Sequence, residues 1–340
     1  MDNNNDMILT PIGGQIVSTI SLGTAEEQSE KHPNFIESNT QGITFEELTE
    51  KNVIPTFADG TLTLSSGSII KATMRAAEEV YGELTIPWIR VSHRIQGRTP
   101  TPEAMNKPAS ELQDSDITTF YQRMAFCAHV KTLTRSINGV DVNLVIGATR
   151  SYAEDKLFGR PTPSKMKLFV GWMVKICSNG CLTCDGNSGT IECLTEADVY
   201  EKALALFKSF DPEKENTLEM LENLGTTRIS ESDFCKIIGR LRLYQALPAA
   251  EQNVLPKVSF GDQAANNLVR GYVSNPNFGL KEGADSISLW QLLQLANEAV
   301  KQGAYIDNWL DRNQNCTDFV LGIQRAILGI DQEGYDWFLN

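Results

Sequence analysis

Apolar and polar positions alternate along several stretches of the first 194 residues. Ile89, Val91 and Ile95 alternate with Arg90, Ser92 and Arg94, which is typical of a half-buried β-strand. Residues 166–176 and 190–193 are also rich in strand-forming residues. The pattern therefore predicts several short strands in this part of the chain.

The strongest local signal is a β-hairpin between residues 124 and 148. Two β-rich runs, 124–137 and 140–148, flank Asn138-Gly139, the preferred pair for a type I′ turn. A two-residue loop fixes the register of the strands that it joins. It predicts that Ile137 pairs with Val140, Arg135 with Val142, and Leu133 with Leu144.

Helical signals dominate after residue 194. Thr195, Ser230 and Ser288 each precede a helical pattern and each has an acid or amide three residues later, the signature of a capping box. A last helix is predicted over residues 317–328. One earlier helix is predicted over residues 65–81, with Gly82 as its end.

Strands first and helices afterwards predict an α+β fold, with an antiparallel β-rich N-terminal half and a helical C-terminal half. We expect three parts: an arm over residues 1–45, a β-rich domain with one helix over 46–194, and a helical domain over 195–340 packed on the sheet. The first 50 residues hold nine acids and one base. The arm is therefore expected to be acidic and mostly disordered, with one short apolar stretch that docks as a strand.

Composition narrows the class of protein. The chain has 340 residues, 41% of them hydrophobic, which excludes a fully disordered protein. Its start lacks the basic and apolar regions of a secretory signal, and no apolar run approaches the ~20 residues of a membrane helix. Seven cysteines, an odd number, favour free thiols in a reducing compartment. We therefore expect a cytoplasmic protein without a membrane partner.

The densest chemical cluster is cysteine-rich. Cys177, Cys181, Cys184 and Cys193 are candidate zinc ligands, because thiolates bind Zn²⁺ tetrahedrally. The first three also have the spacing of an iron–sulfur motif, but no alternation of strands and helices surrounds them. The favoured interpretation is a turn with small buried thiols and no cofactor. Zinc is the alternative.

Motifs of common enzyme classes are missing from the sequence. It contains no G-x-S-x-G elbow, no P-loop and no G-x-G-x-x-G. His93 and His129 fall in predicted strands, and His93 continues the apolar alternation, so it is interpreted as a core histidine. These observations favour a protein that is not an enzyme.

Charge is unevenly distributed. The chain carries a net charge of −13, yet residues 86–175 hold 13 basic and 7 acidic residues, a net charge of +6. Arg90 and Arg94 project from the same face of one strand, about 13 Å apart. Neutralised phosphates dominate affinity for nucleic acid. The candidate contacts to single-stranded DNA are Arg90, Arg94, Arg98, Arg135, Arg150 and Lys167. The alternative is a solvated sheet face, since charge clusters usually serve solubility.

Three stretches carry a family resemblance. They are the segment from Ile89 to Arg98, the segment from Gly147 to Gly186 with its Arg-Ser-Tyr and cysteine motifs, and the segment from Ile238 to Asn308. In this order they resemble the uncharacterised Bacteroidales family DUF3871, and more distantly a phage- and plasmid-like family. The resemblance covers residues 50–340 and implies a mobile-element context and no known reaction. In that family the position of Cys184 is usually Ser or Thr, which disfavours zinc.

Three functional hypotheses follow. The first is a non-enzymatic mobile-element protein that binds or anneals single-stranded DNA on a basic sheet face. The second is a protein-interaction or regulatory module, such as an acidic decoy that acts against host defence. The third is an enzyme with a Cys/Zn site. Single-stranded DNA, a protein partner and a second copy of the chain are the expected partners.

Overall fold

The computed structural model describes residues 35–50, 64–152, 163–174, 180–181, 188–213 and 216–340. Residues 1–34, most of the predicted arm, lie outside the described residues. Apart from its residues 180 and 181, the cysteine-rich segment 175–187 lies outside them too.

The N-terminal half forms one antiparallel sheet, as predicted. Its seven strands have the order β1-β2-β3-β4-β5-β6, and β7 also pairs with β5. The strands are β1 (Gln41–Ile43), β2 (Trp88–Pro100), β3 (Ile117–Ile137), β4 (Val140–Ser151), β5 (Ser164–Val174), β6 (Gly180–Cys181) and β7 (Ser188–Cys193).

The hairpin between β3 and β4 forms at the predicted turn. Asn138 and Gly139 both have positive φ, 50° and 78°, as a type I′ turn requires. Ile137 pairs with Val140 and Arg135 with Val142, as predicted. The predicted pair Leu133–Leu144 is wrong, because the register shifts between His129 and Thr134. A bulge of this kind leaves no signal in the hydrophobic pattern.

Four helices begin at the capping residues that were predicted from the sequence. Side chains of Ser65, Thr195, Ser230 and Ser288 accept hydrogen bonds from the first turns of their helices. The helices are α1 (Phe45–Glu50), α2 (Ser66–Tyr81), α3 (Glu196–Ser209), α4 (Thr217–Thr226), α5 (Glu231–Ala246), α6 (Ala249–Gln252), α7 (Asp262–Ser274), α8 (Leu289–Lys301) and α9 (Trp309–Ile327). A small ribbon pairs β8 (Arg228–Ser230) with β9 (Ser286–Ser288).

The last helix begins eight residues earlier than predicted. Its first two turns are rich in polar residues, and one of these, Asn313, is nevertheless buried, as is Thr317 in the next turn. Their side chains bond to backbone carbonyls four residues earlier, at Trp309 and Asn313. Because these turns are polar, the hydrophobic pattern did not predict them.

One face of the sheet packs against helices. Helix α2 contacts β3, β4 and α3. A single buried cluster extends from Phe45 through sheet residues such as Trp172 to Phe338 near the C-terminus. The β-rich and helical parts therefore share a core.

The second face of the sheet has a smaller apolar cover. Phe35 and Ile36 are fully buried there with Ile306 and Trp309. The ring of Trp309 meets those of Phe35 and Phe169 edge-on, with centroids 5.2 and 5.4 Å apart. Residues 35–45 are thus folded, although the arm was predicted to extend to residue 45. Phe35 and Ile36 are isolated apolar residues in a polar stretch, so no periodic pattern predicted that this segment folds.

None of the helices in the described residues is long and apolar enough to cross a membrane.

Candidate functional site

Two regions contain the candidate residues: the edge of the sheet near β1 and its second face. Near β1, a groove of about 310 Å³ is open at the sheet edge. We call it the edge groove, and its lining residues are Asn39, Thr40, Gln41, Val91, Ser92, His93, Arg94 and Tyr121. Further in, the face lies under Phe35–Glu37 and the segment 304–311, and we call this the covered region.

The turn before β1 forms one wall of the edge groove. Strand β1 pairs with β2 through Gln41–Val91 and Gly42–Arg90. The Arg90 guanidinium donates to the Thr40 hydroxyl at 2.9 and 3.1 Å and to the Thr40 carbonyl at 3.0 Å. Burial lowers the pKa of Arg90, and the nearby Glu37 opposes that shift. Arg90 therefore holds the wall in place.

Two residues of the groove have unusual backbone. Asn39 and His93 have φ of 50° and 56°, the left-handed region that side chains other than Gly rarely adopt. Such residues cost about 1–3 kcal/mol each and cluster at ligand sites. Of the three non-glycine residues with positive φ in the described part of the chain, Asn39 and Asn138 each lie in a turn, where Asn adopts this region readily. His93 is the one of the three that lies within a strand.

His93 is exposed, so the prediction of a core histidine is wrong. Its left-handed φ departs from extended strand geometry, on which the prediction from alternation depended. The ring nitrogen Nδ1 lies 3.2 Å from the Ser92 hydroxyl and 2.9 Å from Arg123 Nη1. His93 therefore links the groove to the covered region.

Arg94 supplies the positive charge of the edge groove. It is exposed, and its guanidinium lies 3.3–3.4 Å from the Thr119 hydroxyl. Among the described residues it enters no ion pair. Tyr121 is the second donor: its hydroxyl accepts from Gln41 Nε2 at 2.5 Å, which leaves its own proton free to donate. The lining residues include no Asp or Glu.

Basic side chains of the covered region are paired with acids from the C-terminal half. Arg123 Nε lies 2.5 Å from Asp307 Oδ2. Lys167 Nζ lies 2.8 and 2.9 Å from the two carboxylate oxygens of Asp311. Between these pairs is a cavity of about 10 Å³, also lined by Ser151, about large enough for one water. Positive charge is neutralised here.

Arg150 and Arg135 are also engaged within the protein. Arg150 is 3% exposed and bonds to the Leu64 carbonyl and, at 3.0 Å, to the Ser164 hydroxyl. Its guanidinium also lies 4.0 Å from the centre of the Tyr152 ring. Arg135 forms an ion pair with Glu213. Both guanidinium groups are therefore engaged by contacts within the protein.

The six predicted contact residues therefore separate. Arg90, Arg135, Arg150 and Lys167 are held by protein groups, whereas Arg94 lines the edge groove. Arg98 lies in β2, and its side chain lies outside the described part. Contact of Arg94 and Arg98 with DNA stays a prediction.

The four candidate cysteines do not form one zinc site. Cys181 pairs with Trp172 and Cys193 with Ser164, eight residues apart on β5, or roughly 26 Å. Cys193 is buried, and burial raises the pKa of its thiol to about 11. No group of metal-ligating residues occurs among the described residues. Cys177 and Cys184 lie outside them, so a site without Cys193 stays a prediction.

Sequence reasoning missed Asn39 and the pairing of Arg123 with Asp307. One signal was present: Ser92 to Arg94, Arg150-Ser151 and Asp307 belong to the three stretches that carry the resemblance. The structure brings these stretches together around the covered region and the groove.

Comparison with known proteins supports that resemblance. Residues 16–339 match the family described as "Domain of unknown function, B. Theta Gene description (DUF3871)", and the chain belongs to this family. No curated protein and no solved structure matches the chain.

Proposed function

We propose that the protein is a non-enzymatic, cytoplasmic protein of a mobile element that binds single-stranded DNA at the edge groove. The observation that supports this is the lining of the groove. In a chain with a net charge of −13, it combines an exposed guanidinium, that of Arg94, with hydroxyl and amide donors and no carboxylate. Such a lining attracts an anion.

This proposal involves fewer phosphate contacts than the six that were predicted from the sequence. Six phosphate contacts would give a slope of log affinity against log salt of about −4, since each contributes about −0.7 with single strands. Contacts by Arg94 alone, or by Arg94 with Arg98, give about −0.7 to −1.4. The salt dependence of binding therefore separates a broad basic face from a local site.

Fluorescence anisotropy of a labelled oligothymidylate, titrated over a series of salt concentrations, tests the function. We expect weak binding with the shallow slope, and loss of binding in Arg94→Glu. Arg270→Glu is the matched control, because Arg270 is exposed on α7 in the helical half. Absence of binding at low salt, or equal effects of the two variants, would overturn the proposal.

A protein-interaction role is the second candidate. Ile327, Leu328 and Ile330, at the end of α9, are 40%, 59% and 60% exposed. Clustered exposed apolar side chains mark contact surfaces. Under this hypothesis Leu328→Asp changes the sedimentation of the protein alone or with a partner, whereas Arg94→Glu has no effect. Unchanged sedimentation in Leu328→Asp would argue against a contact at this place.

A further inference from the structure

We propose that the edge groove binds a terminal phosphate of a DNA strand, a phosphate monoester, so that the protein recognises strand ends. This inference rests on the proposed function and specifies its ligand. Three properties of the groove support it: its size, the number of its available charges and its set of donors.

The size of the groove limits what enters it. Its volume of about 310 Å³ lies at the lower end of the range for small-molecule sites, about 300–1,000 Å³. It therefore holds one phosphate with its sugar, or a group of similar size. A run of several nucleotides would have to continue over the neighbouring surface.

In the described part of the chain, few basic side chains on that neighbouring surface remain to bind further phosphates. Arg123 is paired with Asp307, Lys167 with Asp311, and Arg90 is bonded to Thr40. Affinity for a continuous strand grows with the number of its phosphates that cations neutralise, and the described part of this surface provides Arg94. A terminal phosphate carries about −1.5 to −2 charges near neutral pH, whereas an internal phosphate carries one. A site with one exposed guanidinium therefore gains most from the terminal group.

Donors in the groove also suit a monoester. A terminal phosphate presents three acceptor oxygens, one more than an internal diester. The guanidinium of Arg94 can donate to two of them as a fork. The Tyr121 hydroxyl and the Asn39 carboxamide line the same groove and can bond the third.

The test compares five probes in the same binding assay with the full chain. They are a single-stranded oligomer with a 5′-phosphate, the same oligomer with a 3′-phosphate, the same oligomer with hydroxyl ends, a circular single strand, and thymidine monophosphate. We expect a phosphorylated end to bind about tenfold more tightly than hydroxyl ends or the circle, since charge-assisted bidentate bonds are the strong ones.

Two variants address the groove directly. Arg94→Gln should abolish the preference for a phosphorylated end. Asn39→Gly should reduce it about threefold, because it removes the carboxamide while glycine tolerates the φ of 50° at this position. Arg270→Gln, on the opposite half of the sequence, should leave it unchanged. Far-ultraviolet circular dichroism checks that each variant is folded.

The outcomes separate the two proposals. Equal affinity for circular and phosphorylated strands, lost in Arg94→Gln, would overturn end recognition and leave DNA binding intact. If thymidine monophosphate binds and none of the four DNA probes does, the result would support a monoester site and overturn the DNA function. Binding of none of the five probes would overturn both.

Discussion

The covered region and the edge groove lie on one sheet, yet their basic residues have different partners. In the covered region, Arg123 and Lys167 meet Asp307 and Asp311 from the segment that packs over them. At the edge, Arg94 has hydroxyl neighbours and no such acid. Net charge along the sequence therefore does not tell which cations remain available to a ligand.

This difference has a physical origin. Desolvated charges are costly unless they are paired or hydrogen-bonded, so basic residues that another layer covers have acids, carbonyls or hydroxyls as partners. The edge near β1 stays hydrated and needs no partner acid. Cation availability is thus decided by which parts of the sheet are covered.

The largest expected effect comes from removing the cover. Trp309→Ala should lower the free energy of unfolding by about 3–5 kcal/mol, because Trp309 is 1% exposed and packs on Phe35 and Phe169. Tyr305→Ala is the matched control: Tyr305 lies in the same segment but is 50% exposed, and its loss should cost less than about 0.5 kcal/mol. Urea denaturation measures both. Similar losses in the two variants would show that the aromatic contacts do not hold the cover.

A smaller effect is expected from the ion pair beneath the cover. Asp307→Asn should lower the free energy of unfolding by about 1 kcal/mol, since it weakens a charge-assisted bond to the partly buried Arg123. At the edge, Arg94→Gln should change stability by less than about 0.5 kcal/mol. The same denaturation experiment compares them. A larger loss for Arg94→Gln would contradict the assignment of Arg94 to ligand binding.

The smallest effect concerns pH. Burial raises the pKa of Glu298 above its ordinary value of 4.5, and Glu37 adds to the shift, whereas Lys301, 3.6 Å away, opposes it. A raised pKa in the folded state means that stability present below pH 4.5 is lost as the pH rises through the folded value. In Glu298→Gln this loss is absent.

Denaturation of wild type and Glu298→Gln over a pH series measures this contribution. The free energy of unfolding of the variant should gain on that of the wild type as the pH rises above 4.5. A constant difference across the series would show that Glu298 titrates equally in both states.

Much of the fold followed from sequence because its signals are local. The caps at Thr195, Ser230 and Ser288 and the Asn138-Gly139 turn act within a few residues. The candidate site was harder to predict. Arg94 was found from its position on the strand, but His93 was assigned to the core, and Asn39 was placed in a disordered arm.

Local sequence thus determined where the strands, turns and helices of this protein form, because period, caps and turn residues act between neighbours. Only the tertiary structure decided which cations are neutralised and which face a groove. The partners Arg123 and Asp307 are 184 residues apart, and Arg90 and Thr40 are 50 apart. Pairings at such separations depend on how the layers pack, and no pattern along the chain records that.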